Sequence, residues 1–362
     1  MRNSGAWLGV VTGVGQALSS IVIGAGQAGL SAAHHLKRLG LEPWREFVVL
    51  DRNEAPGGAW QHRWDTLTMR DVHGVAALPG EEEPSSSPAE RANVAVPEYF
   101  AAYESGHGLP VERPVRVDRV TSEGALLRVR AGERSWLTHT LVNATGTWNR
   151  PFLPYYPGVE TFTGRHLHTH DYGHPSDFAG QHVVVVGGGA SAVQLLAEVS
   201  EYATTTWVTR REPIWRTEDF TPEAGRAAVA LVEERVRQGL PAQSVVSVTG
   251  LMLREQELPA FRRGVYDRHP MFERIDGGDV VWPDGTRVHA DAIIWATGFR
   301  PDVAHLAPLG LTSEFGGIQL EGTEAVVDPR IQLVGYGPSS STIGANRAGR
   351  TAAVNVLRQL GR

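Results

Sequence analysis

Two glycine-rich segments of this 362-residue chain are the best placed for chemistry, because each can offer bare backbone N–H groups to a phosphate. The first, Gly24-Ala25-Gly26-Gln27-Ala28-Gly29, follows the apolar run Ile21-Val22-Ile23 and precedes Leu30 to Leu39, which Gly40 closes. That order reads as buried strand, tight turn and helix, the unit that receives a dinucleotide pyrophosphate. Gly24 and Gly26 permit the turn and the close approach, while Gly29 lets helix and strand pack. The next strand, Phe47-Val48-Val49-Leu50, ends at Asp51, whose carboxylate suits the hydroxyls of an adenosine ribose. The second segment, Gly187-Gly188-Gly189-Ala190-Ser191-Ala192, follows His182 to Val186 and opens a helix through about Val199. Its next strand, Thr205 to Thr209, ends at Arg210-Arg211, and guanidinium groups there suit a 2′-phosphate. An exposed basic pair partly neutralised by Glu212 is the alternative. Two dinucleotides are expected, FAD at the first turn and NADPH at the second, with NADH as the weaker option.

The elements that must position these turns form an α/β chain. Thr140 to Gly146 and Ala292 to Gly298 resemble each other, each a short apolar strand ending in Ala-Thr-Gly. Thr145 and Gly146 accordingly join the candidate cofactor contacts. The simplest architecture has two Rossmann-like dinucleotide-binding domains, the NADPH domain inserted into the FAD domain. The expected boundaries are an N-terminal extension at 1–18, an FAD-binding domain over 19–157 and 293–362, and an NADPH-binding domain over 158–292. Thr221 to Gly239 has helical periodicity with charges between the apolar positions. Glu81 to Pro88 reads as an exposed loop.

Composition narrows the classes. A net charge of -6 and a pI of about 6.2 do not give the field of a nucleic-acid binder. The absence of cysteine excludes disulfides, cysteine metal sites and a redox-active dithiol. No apolar run reaches the length of a membrane span, and the weakly signal-like stretch Ala6–Leu18 contains three glycines and leads into the first strand. A cytoplasmic protein without a membrane partner is expected. His166, His168 and His170 alternate, but without supporting carboxylates no metal site is expected.

Four features together resemble the flavin-containing monooxygenase family, the compact bacterial type of the group B flavoprotein monooxygenases. They are the N-terminal glycine motif, Gly57-Gly58-Ala59-Trp60 after Asp51, the second glycine motif, and Phe162-Thr163-Gly164-Arg165-His166-Leu167-His168-Thr169-His170-Asp171-Tyr172. The last matches the fingerprint F-x-G-x-x-x-H-x-x-x-Y throughout, and its Tyr172 ending resembles the heteroatom-oxygenating branch, where Baeyer–Villiger enzymes usually carry tryptophan. The resemblance covers nearly the whole chain from about residue 19.

The resemblance implies that NADPH passes hydride to FAD, that reduced FAD and dioxygen give a C4a-hydroperoxyflavin, and that one oxygen atom goes to a soft nucleophile such as a sulfide or amine. Small ketones are a further option. The implied FAD contacts are Gly24, Gly26, Gln27, Ala28, Gly29, Asp51 and Arg52, with Gly58, Ala59, Trp60, Gln61 and His62 beside the flavin. The implied NADPH contacts are Gly187, Gly189, Ser191, Arg210 and Arg211. A C-terminal helix through Ala345, Ala348, Ala352, Val356 and Leu360 is expected to bring Thr342 to Asn346 against the flavin's pyrimidine side. Arg70 stands where many members carry an asparagine touching flavin and NADP+, so it is the candidate catalytic residue. A salt bridge with Asp71 or Asp65 is its alternative role. His168 reads as a domain-linking element before an acid or base. Trp215, Trp282, Phe299 and Tyr336 are candidate pocket or core aromatics. The partners are a small-molecule substrate and dioxygen, and the oligomeric state is open, a homodimer being one option. The competing function is an NAD(P)H-dependent flavin reductase or oxidase without productive oxygen transfer; a non-catalytic nucleotide-binding protein is a third.

Overall fold

The computed structural model describes residues 17–72, 74–216, 222–243 and 250–362. Most of the expected N-terminal extension, and Thr221 of the expected helix, lie outside them. The opening strands are β1 (Leu18–Ile23), β2 (Phe47–Leu50), β3 (Val111–Glu112), β4 (Arg119–Glu123), β5 (Leu126–Ala131) and β6 (Arg134–Asn143). β1 pairs in parallel with β2 on one side and β6 on the other. Its apolar run has no alternation because both faces are covered, Val22 packing with Leu30, Ala33 and Ala352 and Ile21 and Ile23 with Val120, Leu127, Val129 and Leu306, so every side chain from Ser20 to Ile23 is buried. Helix α1 (Gln27–Arg38) lies on one face, followed by α2 (Ala92–Gly106). β4, β5 and β6 make an antiparallel meander.

The second unit holds β7 (Arg165–His168), β8 (His182–Val186), α3 (Ala190–Val199) and β9 (Thr204–Thr209); α4 (Pro222–Arg237) follows but packs back on the first unit, its Val236 sharing a core with Ile331, Leu333 and Tyr336, and α5 (Leu258–Arg262) and β10 (Arg268–Pro270) return to the second. A small antiparallel sheet of β11 (Arg274–Asp276), β12 (Asp279–Val281) and β13 (Arg287–His289) precedes β14 (Ala292–Trp295). The main sheet here is parallel, in the order β10-β9-β8-β14-β7. The expected boundary at 292/293 therefore needs correcting: it cuts through β14, which pairs on both sides within the second sheet. The reason is internal symmetry. The strand before the second Ala-Thr-Gly serves the second unit as β6 serves the first.

The chain then returns with β15 (Leu320–Glu321), β16 (Glu324–Ala325) and β17 (Ile331–Leu333). β17 pairs in parallel with β6, so the first sheet, ordered β15-β16-β17-β6-β1-β2-β3, is built from both ends of the chain. Helix α6 (Thr342–Gln359) packs on α1 through the buried small residues Ala345, Ala348 and Ala352, and Ser31 Oγ donates to the Asn346 carbonyl at 3.0 Å. Among the described residues no helix is long and apolar enough to cross a membrane.

Candidate active site

The first glycine turn is closed below and open above. A Cβ on Gly24 would fall 2.6 Å from the Ala144 carbonyl oxygen, and one on Gly29 would fall 1.8 Å from the Gly24 oxygen. A Cβ on Gly26 would meet nothing within 4 Å. Gly26 is also the N-cap of α1, with no side chain capping the helix and no acid in its first turn. Unpaired N–H groups facing open space are what a pyrophosphate requires, so these residues fit FAD. Gln27 adds a further sign: its Nε2 donates to the Ala76 carbonyl (3.0 Å) and to Asn346 Oδ1 (2.9 Å), leaving a sealed Oε1 without a partner.

Asp51 is 3% exposed rather than a solvated strand end. Its Oδ2 accepts from the Ala25 N–H (2.7 Å) and its Oδ1 from the Asn53 N–H (2.9 Å), so the carboxylate braces the turn. Arg113 Nε stands 3.5 Å away and forks onto Glu104 at 2.6 and 2.7 Å. This Asp51–Arg113–Glu104 network joins residues from three elements, and no local pattern announces it. Arg52 points to Asp302 at 3.9 Å.

The second turn repeats the first. A Cβ on Gly187 would lie 2.2 Å from the Ala296 oxygen, and Gly189, the uncapped N-cap of α3, has nothing within 4 Å of the equivalent point. Gly24 donates to the Leu50 carbonyl and Gly187 to that of Val208, at 2.8 and 2.9 Å. The position matching Asp51 is therefore Thr209, and Arg210 and Arg211 stand one and two residues beyond it. Both arginines are exposed. Thr209 is buried, donates to the Arg211 carbonyl (2.7 Å) and accepts from Arg268 Nε (2.8 Å), which adds a third guanidinium that sequence reasoning missed. Ser191 lies in the first turn of α3.

Between the units, Gly57 to Asp71 and the two segments after Ala-Thr-Gly converge. Gly58 backs onto the first turn, since its Cβ would lie 2.9 Å from Gly26 Cα. Ala59 caps the short helical turn Trp60–His62. Gln61 Nε2 donates to the Ala55 and Gly58 carbonyls, both at 3.1 Å, and His62 Nε2 pairs with Asn53 Oδ1 at 2.9 Å. Thr145 Oγ1 donates to the Asp302 carbonyl at 2.6 Å, while Gly146 takes a positive φ of 63° at the exit from β6. Trp148 is buried in an aromatic cluster, its ring 5.0 Å from both His170 and Phe299. Arg52, Gln61, His62, Trp148 and His170 line an open cleft of about 450 Å³. Trp282 and Tyr336 are buried core residues, whereas Phe299 belongs to this cluster and Trp215 packs beside Trp207.

The fingerprint histidine is committed at both nitrogens. His168 is fully buried, its Nδ1 accepts from the His170 N–H (3.0 Å), and its Nε2 therefore donates to the Gly298 carbonyl (2.9 Å). Burial holds its pKa below the ordinary value. The ring ties β7 to the segment after β14 and leaves no nitrogen for acid or base work. His166 and His170 are engaged separately, against Phe162 and Asp171.

Tyr172 donates to Glu198 of α3 at 3.2 Å, and the same carboxylate accepts from Trp64 Nε1 (3.2 Å) and Thr66 Oγ1 (2.6 Å). Burial pushes the pKa of Glu198 up against these three donors. Gln194 and Arg254 both donate to the Asp71 carbonyl, at 2.9 and 2.5 Å. The segment 64–71 is thus fastened to the second unit at both ends. Arg70 within it is exposed, and neither proposed salt-bridge partner takes it: Asp71 accepts from Thr68, and Asp65 is held by Arg91 and Asn93. At the start of α6, Ser341 Oγ caps the Gly344 N–H (3.1 Å), and Thr342 Oγ1 accepts from the Ala76 N–H at 3.3 Å.

Comparison with known proteins agrees with this geometry. The pyridine nucleotide-disulphide oxidoreductase family profile matches residues 21–248. A flavin-containing monooxygenase from Stenotrophomonas maltophilia is 36% identical, with a TM-score of 0.81 over 95% of this chain and 99% of that one. An uncharacterized oxidoreductase, CzcO, of Bacillus velezensis is 24% identical over 83% of this chain and 86% of its own length. A Baeyer-Villiger monooxygenase of Streptomyces coelicolor is 28% identical over 67% of this chain and 46% of its own length.

Proposed function

The chain belongs to the flavin-containing monooxygenases, within the pyridine nucleotide-disulphide oxidoreductase family, and on that premise we propose that it uses NADPH to place one atom of dioxygen on a sulfide or amine. FAD and NADPH are the cofactor pair that goes with that membership. When bound, FAD supplies the electron and oxygen chemistry. What this chain's own residues do is hold and orient.

The observation that carries the reading is the pair of uncapped glycine turns with opposite electrostatics, one braced by Asp51 and one beside Arg210, Arg211 and Arg268. The first-turn N–H groups of α1 meet a pyrophosphate, and the second lone pairs of the Asp51 oxygens remain for ribose hydroxyls. Arg210 and Arg211 receive the 2′-phosphate that distinguishes NADPH from NADH. Trp148, Phe299 and His170 give the cleft between the units an aromatic wall. Arg70, free of a carboxylate partner among the described residues, offers a positive charge from a segment that Glu198 holds in place. Oxygenation of small ketones is a second reading, favoured by the likeness to the Streptomyces enzyme.

Steady-state coupling tests the proposal. With methyl phenyl sulfide, NADPH consumption should be matched by sulfoxide, with little hydrogen peroxide. NADPH consumption returned wholly as peroxide, across sulfides, amines and ketones, would place the enzyme among the oxidases.

A further inference from the structure

The junction between the units holds a guanidinium without a counter-charge. The guanidinium carbon of Arg63 lies 4.5 Å from the centroid of the Trp148 ring and 5.6 Å from that of Trp60. Arg63 Nε is sealed from solvent and has no hydrogen-bond partner, and the same holds for the indole N–H of Trp148. No carboxylate among the described residues pairs with it, since the nearby Asp65 and Asp71 are engaged by Arg91, Asn93 and Thr68. Burial pulls its pKa down to about 10, which still leaves it cationic at neutral pH.

A guanidinium with one donor sealed and unpaired and no carboxylate beside it is costly to hold, and an anion on its open donors would offset that cost. Cation–π contact with Trp148 and Trp60 orders the fork before any ligand arrives. The side chain is only partly buried while its Nε is sealed, so its terminal nitrogens are the part that reaches open space. A planar anion with two oxygens is the complement of that fork. The cofactor phosphates have donors of their own, the backbone of the two turns and Arg210 with Arg211. Trp148 beside the fork, with Phe299 and His170 packed on it, suits the apolar body of a small molecule.

We propose that Arg63 and Trp148 form a subsite for a substrate carboxylate, so that the preferred substrates are organic acids carrying the sulfide or amine. The identity of the oxidised atom rests on the function proposed above; the binding of the acid does not.

The test is a titration of the oxidised, FAD-loaded enzyme, read by perturbation of the flavin spectrum without NADPH, comparing (methylthio)acetate with its neutral methyl ester. The acid should bind at least about tenfold more tightly than the ester, and Arg63→Met should weaken the acid by about 10–100-fold with the ester unchanged. Arg63→Lys, which keeps the charge without the fork, should fall between. FAD content and NADP+ affinity should stay as they are. Equal binding of acid and ester by the unaltered enzyme, or an acid preference surviving in Arg63→Met, would overturn the proposal. So would loss of FAD or of NADP+ affinity in Arg63→Met and Arg63→Lys, because the guanidinium would then serve a cofactor phosphate. Should Arg63→Met not fold, Trp148→Phe removes the N–H donor and part of the ring that stacks on the guanidinium, and should weaken the acid several-fold; an unchanged acid affinity there would count against the subsite. If the acid binds as expected but no sulfoxide forms in turnover, the subsite stands and the oxygenation reading fails.

Discussion

The two dinucleotide turns share a plan and differ in what holds them. In both, the first glycine sits against the carbonyl of an Ala-Thr-Gly alanine, Ala144 or Ala296, and the second faces open space. The third position separates them. Gly29 admits no side chain, whereas the second turn carries Ala192 there, fully buried. The residue at the end of the following strand separates them further. Asp51 is sealed, bonded to the Ala25 N–H and backed by Arg113 and Glu104, while Thr209 leads to two exposed arginines. A tight, internally braced turn suits a cofactor that stays. An open, cationic one suits a cofactor that comes and goes.

Three experiments press on that contrast. The largest effect is expected at the tightest point: Gly29→Val drives its side chain into the Gly24 carbonyl and should abolish FAD retention, with overpacking of about 1–3 kcal/mol lowering the melting temperature. Gly26→Val meets no protein atom within 4 Å at its Cβ and should instead give a folded protein lacking FAD. Flavin content and thermal melting of the two variants separate a packing defect from a blocked cradle; full FAD in Gly26→Val would refute the cradle.

The next effect belongs to the second turn. Replacing Arg210 and Arg211 by neutral residues should raise KM for NADPH with little change for NADH, each charged phosphate contact being worth about 1.5–3 kcal/mol. Parallel loss with both cofactors would mean that the pair supports the fold rather than the 2′-phosphate.

Acid should weaken the first unit through one buried imidazole. His35, buried on α1, has its pKa lowered to about 4 by burial, with His34, Arg38 and Arg350 adding to the shift. A lowered pKa means that the unfolded chain takes up a proton which the folded one refuses. Stability is therefore unaffected above about pH 6.5 and falls as pH drops from there to about 4, by on the order of 3 kcal/mol for this group. His35→Leu should flatten that part of the pH profile of unfolding. An unaltered profile would show that His35 is not held neutral.

How far the sequence disclosed this molecule follows from the range of each interaction. The turns, their flanking strands and the helices that open at Gly26 and Gly189 were legible because glycine spacing and β-branched runs are local. The end of the second unit was misplaced because the Ala-Thr-Gly strand occurs in both units and carries no mark of which sheet it joins. In the sequence the arginine pair stands at the strand end, yet only the hydrogen bonds of Gly24 and Gly187 set the register that puts Thr209 opposite Asp51. Glu198 receiving Trp64, Thr66 and Tyr172, and Arg63 between Trp60 and Trp148, join segments far apart in the chain. Neither leaves a periodicity or a motif to find. The two strands that pair antiparallel before β6, β4 and β5, leave as little trace, being short and charged on the outer face.

The fate of dioxygen decides the account most directly. The enzyme is supplied with NADPH and a sulfide under ¹⁸O₂, and the product is weighed by mass spectrometry. A monooxygenase gives sulfoxide carrying one ¹⁸O atom, formed in step with NADPH consumed. Unlabelled sulfoxide, or labelled hydrogen peroxide with no sulfoxide, would contradict that function.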